Sequence, residues 1–225
     1  MNKLFFLDNH ILISGLFIIV IFSIKFVIKN TKILNKILFF SLIINFISYY
    51  LVLIINNSFD FRTHLPIHLC YITELGILIS FILKNKTFYP VLALNSLGGG
   101  ISGLTNSNLV VSSYWIEYFH LYLSHTNLIF FFIILHKEKF TINKKMFSIS
   151  ILINALIFCF AFVFNKMFGS NYWFTASKPE GKNLTLLFSD WPDYLIGLIV
   201  IGLFSYLVTY MILKKNKSIN LMLYH

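Results

Sequence analysis

The sequence predicts an all-α integral membrane protein, a polytopic bundle of about seven transmembrane helices. The 225-residue chain is 58% hydrophobic and 12% charged, and its mean hydropathy of +0.80 is too high for an ordinary soluble domain. Apolar runs of about twenty residues recur along it, the length at which a helix crosses the ~30 Å hydrocarbon core. The basic residues gather in alternate connections between these runs.

The apolar runs predict a single integral membrane domain over residues 1–225. Its spans are expected at residues 10–28, 35–56, 66–83, 88–106, 115–135, 146–166 and 192–213. The first run follows Lys3 as a signal peptide would, but it lacks a small-residue cleavage site and continues to Phe26, which indicates an uncleaved span. The fourth run gives the weakest signal, since Asn95 and four glycines dilute it.

The placement of charge predicts the orientation of the chain. Thirteen of the 18 basic residues flank the first, third and fifth connections or follow the last span. The other five are Lys3, Arg62, Lys166, Lys178 and Lys182. The positive-inside rule then places the N-terminus outside and the C-terminus in the cytoplasm, as expected for a multi-pass protein of the cell membrane. These lysines and their attraction to anionic lipid account for the net charge of +10, so the expected partner is the lipid bilayer and not nucleic acid.

This topology places the residues capable of chemistry in the outer half of the bundle. They are His64, His68, Cys70, the glycine run at 98–103, Glu117, His120 and His125. The longest connection, at about 165–190, carries a Tyr-Trp-Phe run at 172–174 that suits a membrane interface. We expect this connection to cap the outer surface.

Cys70 is the candidate nucleophile. A helix beginning at Pro66 would put it about one turn below the outer interface, on the face that carries Glu74. A thiol needs a base to become a thiolate, and His68 lies about 200° away around the same helix. The alternative is that Cys70 only packs as a small hydrophobic residue.

The fifth span offers a base for Cys70. Glu117, His120, Ser124 and Asn127 form a polar stripe at helical spacing, while His125 lies off that stripe. Periodicity therefore favours His120 as the base. Alternatively, the stripe only forms hydrogen bonds between helices.

Two other uses of the polar residues are open at this point. His64, His68, Cys70, Glu74, His120 and His125 could supply ligands to a catalytic metal, although the chain has no HExxH or CxxC motif. In a transporter or lipid-binding protein, Asn45, Asn95 and Asn154 would line a path beside the glycine-rich fourth helix.

Several motifs occur in the order of a known family. They are Leu65-Pro-Ile-His68-Leu-Cys70, the glycine run at 97–103, Ser124-His125, Gly169-Ser-Asn-Tyr172 with Lys178-Pro179, and Trp191-Pro-x-Tyr194. Over roughly residues 60–200, the chain resembles the YwaF-type bacterial integral membrane proteins, which share a family with human transmembrane protein 164. The resemblance implies a multi-pass bundle and phospholipid acyl transfer through a cysteine, with no cofactor. It implies that Cys70 is the nucleophile and His125 the partner histidine.

The leading hypothesis is a lipid acyltransferase or acyl hydrolase that works on the outer-leaflet side. Cys70 attacks an acyl ester, His125 moves protons, and the acyl group passes to a lysophospholipid or water. His120, Glu117 or Glu74 orients the base. The resemblance favours His125 and periodicity favours His120, so both stay candidates for the base.

Overall fold

The computed structural model describes residues 9–106, 109–110, 113–180 and 183–214. The described chain contains seven α-helices, which bear out the predicted all-α bundle. They are α1 (His10–Val27), α2 (Thr31–Ile55), α3 (Leu69–Ile82), α4 (Tyr89–Thr105), α5 (Trp115–Lys137), α6 (Lys144–Phe168) and α7 (Asp193–Leu213). Two short 3₁₀ turns, Tyr172–Phe174 and Leu184–Leu187, lie between α6 and α7.

Local sequence signals set several helix ends. The Asn30 side chain accepts a hydrogen bond from the Lys32 amide at 2.9 Å, and α2 begins there. Asn143 caps α6 in the same way, and Gly169 ends that helix in the left-handed conformation, at φ +65°.

The predicted start of α3 at Pro66 is wrong. The helix begins at Leu69, and His68 before it is extended, with φ −58° and ψ 144°. The segment before the helix folds as turns, in which the Ile67 amide donates a hydrogen bond to the Leu65 carbonyl at 2.7 Å. Cys70 is therefore the second residue of its helix and not one turn inside it.

Length and hydropathy allow α1, α2, α5, α6 and α7 to cross a membrane. The helix α3 is apolar but has only 14 residues, and α4 has 17. In α5, 89% of the apolar window is buried, against 17% in α6 and in α7. The bundle therefore encloses α5 and presents the apolar sides of α6 and α7 to lipid.

The helix α4, which gave the weakest signal in the sequence, lies at the centre of the bundle. It packs against α1, α3, α5, α6 and α7. Asn95 and Ser96 in its middle are buried, as are its aliphatic neighbours. Its low hydropathy reflects its contacts with five other helices, because a helix that meets little lipid does not need an apolar surface.

The first, third and fifth connections meet at one end of the bundle. Lys137 Nζ donates to the Ile28 carbonyl at 2.8 Å. Glu138 accepts from Asn35 at 2.8 Å and pairs with Lys86 at 3.3 Å. The basic connections thus share one end, as the charge pattern requires. The orientation of that end remains a prediction, and Lys3, Lys182, Lys215 and Lys217 lie outside the described residues.

The long connection after α6 packs against the segment between α2 and α3. The Tyr172 hydroxyl donates to the Phe61 carbonyl at 2.7 Å and accepts from the Leu65 amide at 2.9 Å. Burial raises the pKa of Tyr172 to about 12, so the phenol stays neutral and keeps its proton for this bond. The loop therefore forms a packed cover over the end of the bundle at which α2 is joined to α3.

Candidate functional site

The loop that covers the bundle end contacts the residue just before α3. The Trp173 amide donates to His68 Nδ1 at 3.3 Å, and the Trp173 indole N–H donates to the Ile67 carbonyl at 2.8 Å. The ring centroid of His68 lies 5.0 Å from that of Tyr172 and 5.4 Å from that of Phe174. His68 is thus held by contacts with the loop.

Two consecutive residues of this loop are in the left-handed region of backbone space. Trp173 has φ 59° and Phe174 has φ 55°. Each such residue costs roughly 1–3 kcal/mol, and the surrounding contacts must hold it in place. Strain of this kind is concentrated at functional sites, and here it lies directly against His68.

The glycines of α4 bring Cys70 and His125 to one face of that helix. A Cβ placed on Gly99 would lie 3.6 Å from Cys70 Sγ. A Cβ placed on Gly103 would lie 1.9 Å from His125 Cδ2 and 2.0 Å from its Nε2. Residues four apart share a helix face and are about 6 Å apart along the axis. The thiol and the imidazole therefore contact the same strip of α4, one turn apart.

The hydrogen bonding of His125 leaves one ring nitrogen available. His125 Nδ1 lies 2.7 Å from the carbonyl of Leu121, so Nδ1 carries the proton and donates it. In the neutral ring, Nε2 is then a proton acceptor, and it is Nε2 that lies at Gly103. Within the described residues, no hydrogen bond joins Cys70 to His125.

A buried carboxylate ties three helices together beside this strip. Glu74 on α3 accepts hydrogen bonds from Asn127 Nδ2 at 2.9 Å and from Asn45 Nδ2, 3.2 Å from each carboxylate oxygen. It also accepts from the Ser124 hydroxyl. Ser41 on α2 extends the network by donating to Asn127 Oδ1 at 2.6 Å. Glu74 is fully buried, so the protein must supply all of these donors.

His120 belongs to this network and not to the α4 strip. Its Nδ1 lies 3.0 Å from Asn45 Oδ1, so it donates to an amide that itself donates to Glu74. Its ring stacks on Tyr49 with centroids 3.9 Å apart and lies 4.5 Å from the ring of Tyr71. Its Nε2 is buried and has no hydrogen-bond partner among the described residues. His120 therefore faces α2 and α3, whereas His125 faces α4.

Glu117 makes its contacts elsewhere. One carboxylate oxygen lies 3.3 Å from His64 Nε2, and the other accepts from the Tyr114 amide at 3.2 Å, which caps α5. His64 Nδ1 in turn accepts from the Asp60 amide at 2.8 Å. In this geometry Glu117 orients His64 and the start of α5, and Glu74 is the carboxylate linked to His120.

The asparagines considered as a transport path are paired with other groups. Asn95 Nδ2 donates to Asn154 Oδ1 at 3.1 Å between α4 and α6, and Asn45 lies in the Glu74 network. For the metal hypothesis, the described part of the chain contains no group of three or more His, Cys, Asp or Glu placed to hold an ion.

Sequence reasoning missed two parts of this site. Asn45 was considered only as a path-lining residue, although it joins His120 to Glu74. The glycine run at 98–103 was not assigned to a particular neighbour, although the missing side chain of Gly103 leaves room for the His125 ring and Gly99 lies beside Cys70. The four-residue spacing of these glycines was the available signal, because it marks a face on which neighbours approach closely.

Comparison with known proteins gives one match. A family model described as the TMEM164 family matches residues 5–210. No curated protein and no solved structure matches the chain.

Removing the buried carboxylate should destabilise the bundle. Methionine has nearly the same side-chain length as glutamate but cannot accept these hydrogen bonds. In Glu74→Met, the donors of Asn45, Ser124 and Asn127 therefore lose their acceptor. We expect the free energy of unfolding to fall by about 2 kcal/mol, from three hydrogen bonds of about 0.6 kcal/mol each in a membrane protein. Reversible denaturation in mixed micelles measures this change. The control is Glu180→Met at an exposed position, and an equal loss in both variants would contradict the network.

Proposed function

The chain belongs to the TMEM164 family, and on this premise we propose that it is a cysteine-dependent acyltransferase or acyl hydrolase of membrane phospholipids. The observation that carries the proposal is the placement of the Cys70 thiol and the His125 imidazole against one face of α4. A nucleophile and a base on one strip of a rigid central helix are the minimum that covalent acyl transfer requires.

The reaction proceeds in two halves. The Cys70 thiol gives its proton to His125 Nε2, and its sulfur attacks the carbonyl carbon of a phospholipid acyl ester. The ester C–O bond breaks, and the departing lysolipid oxygen takes the proton from His125. A lysophospholipid hydroxyl or water then loses a proton to His125 and attacks the thioester, and the sulfur leaves and regains its proton.

The tautomer of His125 suits this role. The bond from Nδ1 to the Leu121 carbonyl keeps that proton on Nδ1, so Nε2 is the nitrogen that takes the thiol proton. A base oriented by a backbone carbonyl, in place of a carboxylate, still fulfils the requirement for a third group that fixes the ring. Glu74 contributes indirectly to the position of His125, because it accepts a hydrogen bond from Ser124, the residue next to His125.

The position of Cys70 matches the depth of an ester. Because α3 begins at Leu69, Cys70 lies within about 3 Å of the start of its helix. Phospholipid esters lie at the boundary between the headgroups and the hydrocarbon core, and the proposal places the first turn of α3 near that boundary. Cys70 as a whole residue is partly exposed.

The thiol and the imidazole must approach each other when substrate binds, since no hydrogen bond joins them within the described chain. Catalytic hydrogen bonds often tighten only in the substrate complex. Gly99 and Gly103 present no side chain to the strip, so α4 does not obstruct this approach.

An acyl-enzyme should form on Cys70. Purified protein incubated with phospholipid carrying a radiolabelled acyl chain should gain label that hydroxylamine releases, because hydroxylamine cleaves thioesters. Cys70→Ser should lose the releasable label, and His125→Ala should form it about 10² to 10⁴ times more slowly, the range for loss of a general base. Cys159→Ser removes the other, exposed cysteine and should behave as wild type. Label retained in Cys70→Ser or lost in Cys159→Ser would contradict the assignment.

The glycine strip gives a second test that leaves both reacting side chains in place. In Gly103→Ala, the new methyl group would overlap the His125 ring and push it out of position. We expect acyl transfer to fall by at least about 10²-fold while the helix gains intrinsic propensity. Gly202→Ala is the matched control, because nothing lies within 4 Å of its added Cβ. Full activity in Gly103→Ala, measured in the same assay, would show that His125 is not the base.

A further inference from the structure

A groove runs along the lipid-facing side of α2, away from Cys70. It is an open groove of about 500 Å³, lined by Ile33, Lys36, Ile37, Phe40, Ser41 and Ile44 of α2 and Leu123 of α5. From Ile33 to Ile44 the helix rises about 16 Å, close to half of the ~30 Å hydrocarbon core. The length of the groove is therefore close to the depth of one leaflet.

The walls of the groove are apolar. Phe40 and Ile44 are 58% and 56% exposed, so their side chains face the bilayer. The one hydroxyl in the lining belongs to Ser41, and it already donates to Asn127 at 2.6 Å. A hydrocarbon chain can therefore occupy the groove without leaving a polar group unsatisfied.

The charge at the mouth of the groove is positive. Lys36 is exposed, and it forms no ion pair within the described residues. The carboxylate described at this end of the bundle, Glu138, is occupied by Asn35 and Lys86. The Lys36 ammonium is thus available to bind an anion from outside the protein, such as a headgroup phosphate.

We propose that this groove is a binding site for an anionic phospholipid of the leaflet on the lysine-rich side. One acyl chain lies along Ile37, Phe40 and Ile44, and Lys36 binds the headgroup phosphate. The site is separate from the catalytic strip and does not depend on acyl transfer, because it lies between α2 and α5, whereas Cys70 and His125 face α4.

The bound lipid also supports the interior network. The groove is formed where α2 meets α5, and Ser41 in its floor holds Asn127, which in turn binds Glu74. A chain packed over this seam favours the folded arrangement of the two helices, since a ligand that binds only the folded state stabilises it.

Photocrosslinking tests the site. Full-length protein is reconstituted in phosphatidylcholine vesicles that contain a trace of phosphatidylglycerol or phosphatidylcholine with the same diazirine-bearing acyl chain. Crosslinks on residues 33–44 are counted by mass spectrometry. We expect about five times more crosslinking from phosphatidylglycerol, as follows from about 1 kcal/mol of attraction per lysine.

Matched variants separate this site from a diffuse charge effect. Lys36→Gln should reduce the phosphatidylglycerol yield to the phosphatidylcholine level. Lys145→Gln, which removes the same charge from an exposed position on α6 at the same end of the bundle, should change it less than twofold. Ile44→Trp should fill the groove and remove the crosslinks from its deep end, whereas Ile47→Trp, outside the lining, should leave them unchanged.

The result that would overturn the proposal is equal crosslinking by the two lipids in wild type. Equal losses in Lys36→Gln and Lys145→Gln would overturn it as well, since the attraction would then belong to the whole basic end of the bundle. Unchanged crosslinking in Ile44→Trp would exclude the groove as the place of the chain. Helix content measured by circular dichroism confirms that each variant is folded.

Discussion

A carboxylate in the interior of a bilayer must obtain every hydrogen bond from the protein, and the site of this molecule is arranged around that requirement. Glu74 on α3 takes its donors from α2 and from two positions of α5. Because Ser124 and Asn127 must face Glu74, the rotation of α5 about its own axis is fixed. His125, next to Ser124, is then turned toward α4, and His120 toward α2.

The second constraint is the close approach of helices at α4. Hydrophobic attraction between helices is weak in lipid, so packing around small residues provides much of the association. Gly100 lies so close to α5 that an added Cβ would be 2.9 Å from the carbonyl oxygen of His125. The same closeness lets the His125 ring lie against Gly103, and Cys70 on α3 lies 3.6 Å from a Cβ placed on Gly99, at ordinary van der Waals distance. Packing and the arrangement of reactive groups therefore depend on the same glycines.

The helices could be predicted from the sequence, but the contacts between them could not. Hydropathy and charge spacing were sufficient for seven helices and for the end at which the basic connections meet, as the contact of Lys137 with Ile28 bears out. Periodicity also grouped His120 with Ser124 and Asn127. It could not tell which neighbour that face would meet, since a helical wheel describes directions within one helix only. The start of α3 was missed because the turns before Leu69 are held by long-range bonds from Tyr172 and Trp173.

We propose that Cys70 and His125 act as a pair across the glycine face of α4. The most direct measurement is the distance between Cys70 Sγ and His125 Nε2 in an experimental structure with a non-hydrolysable phospholipid analogue bound. A catalytic pair predicts about 4 Å or less, with the ester mimic beside the sulfur. A separation above about 10 Å, or a sulfur that lies closer to His120 Nε2, would contradict the pairing.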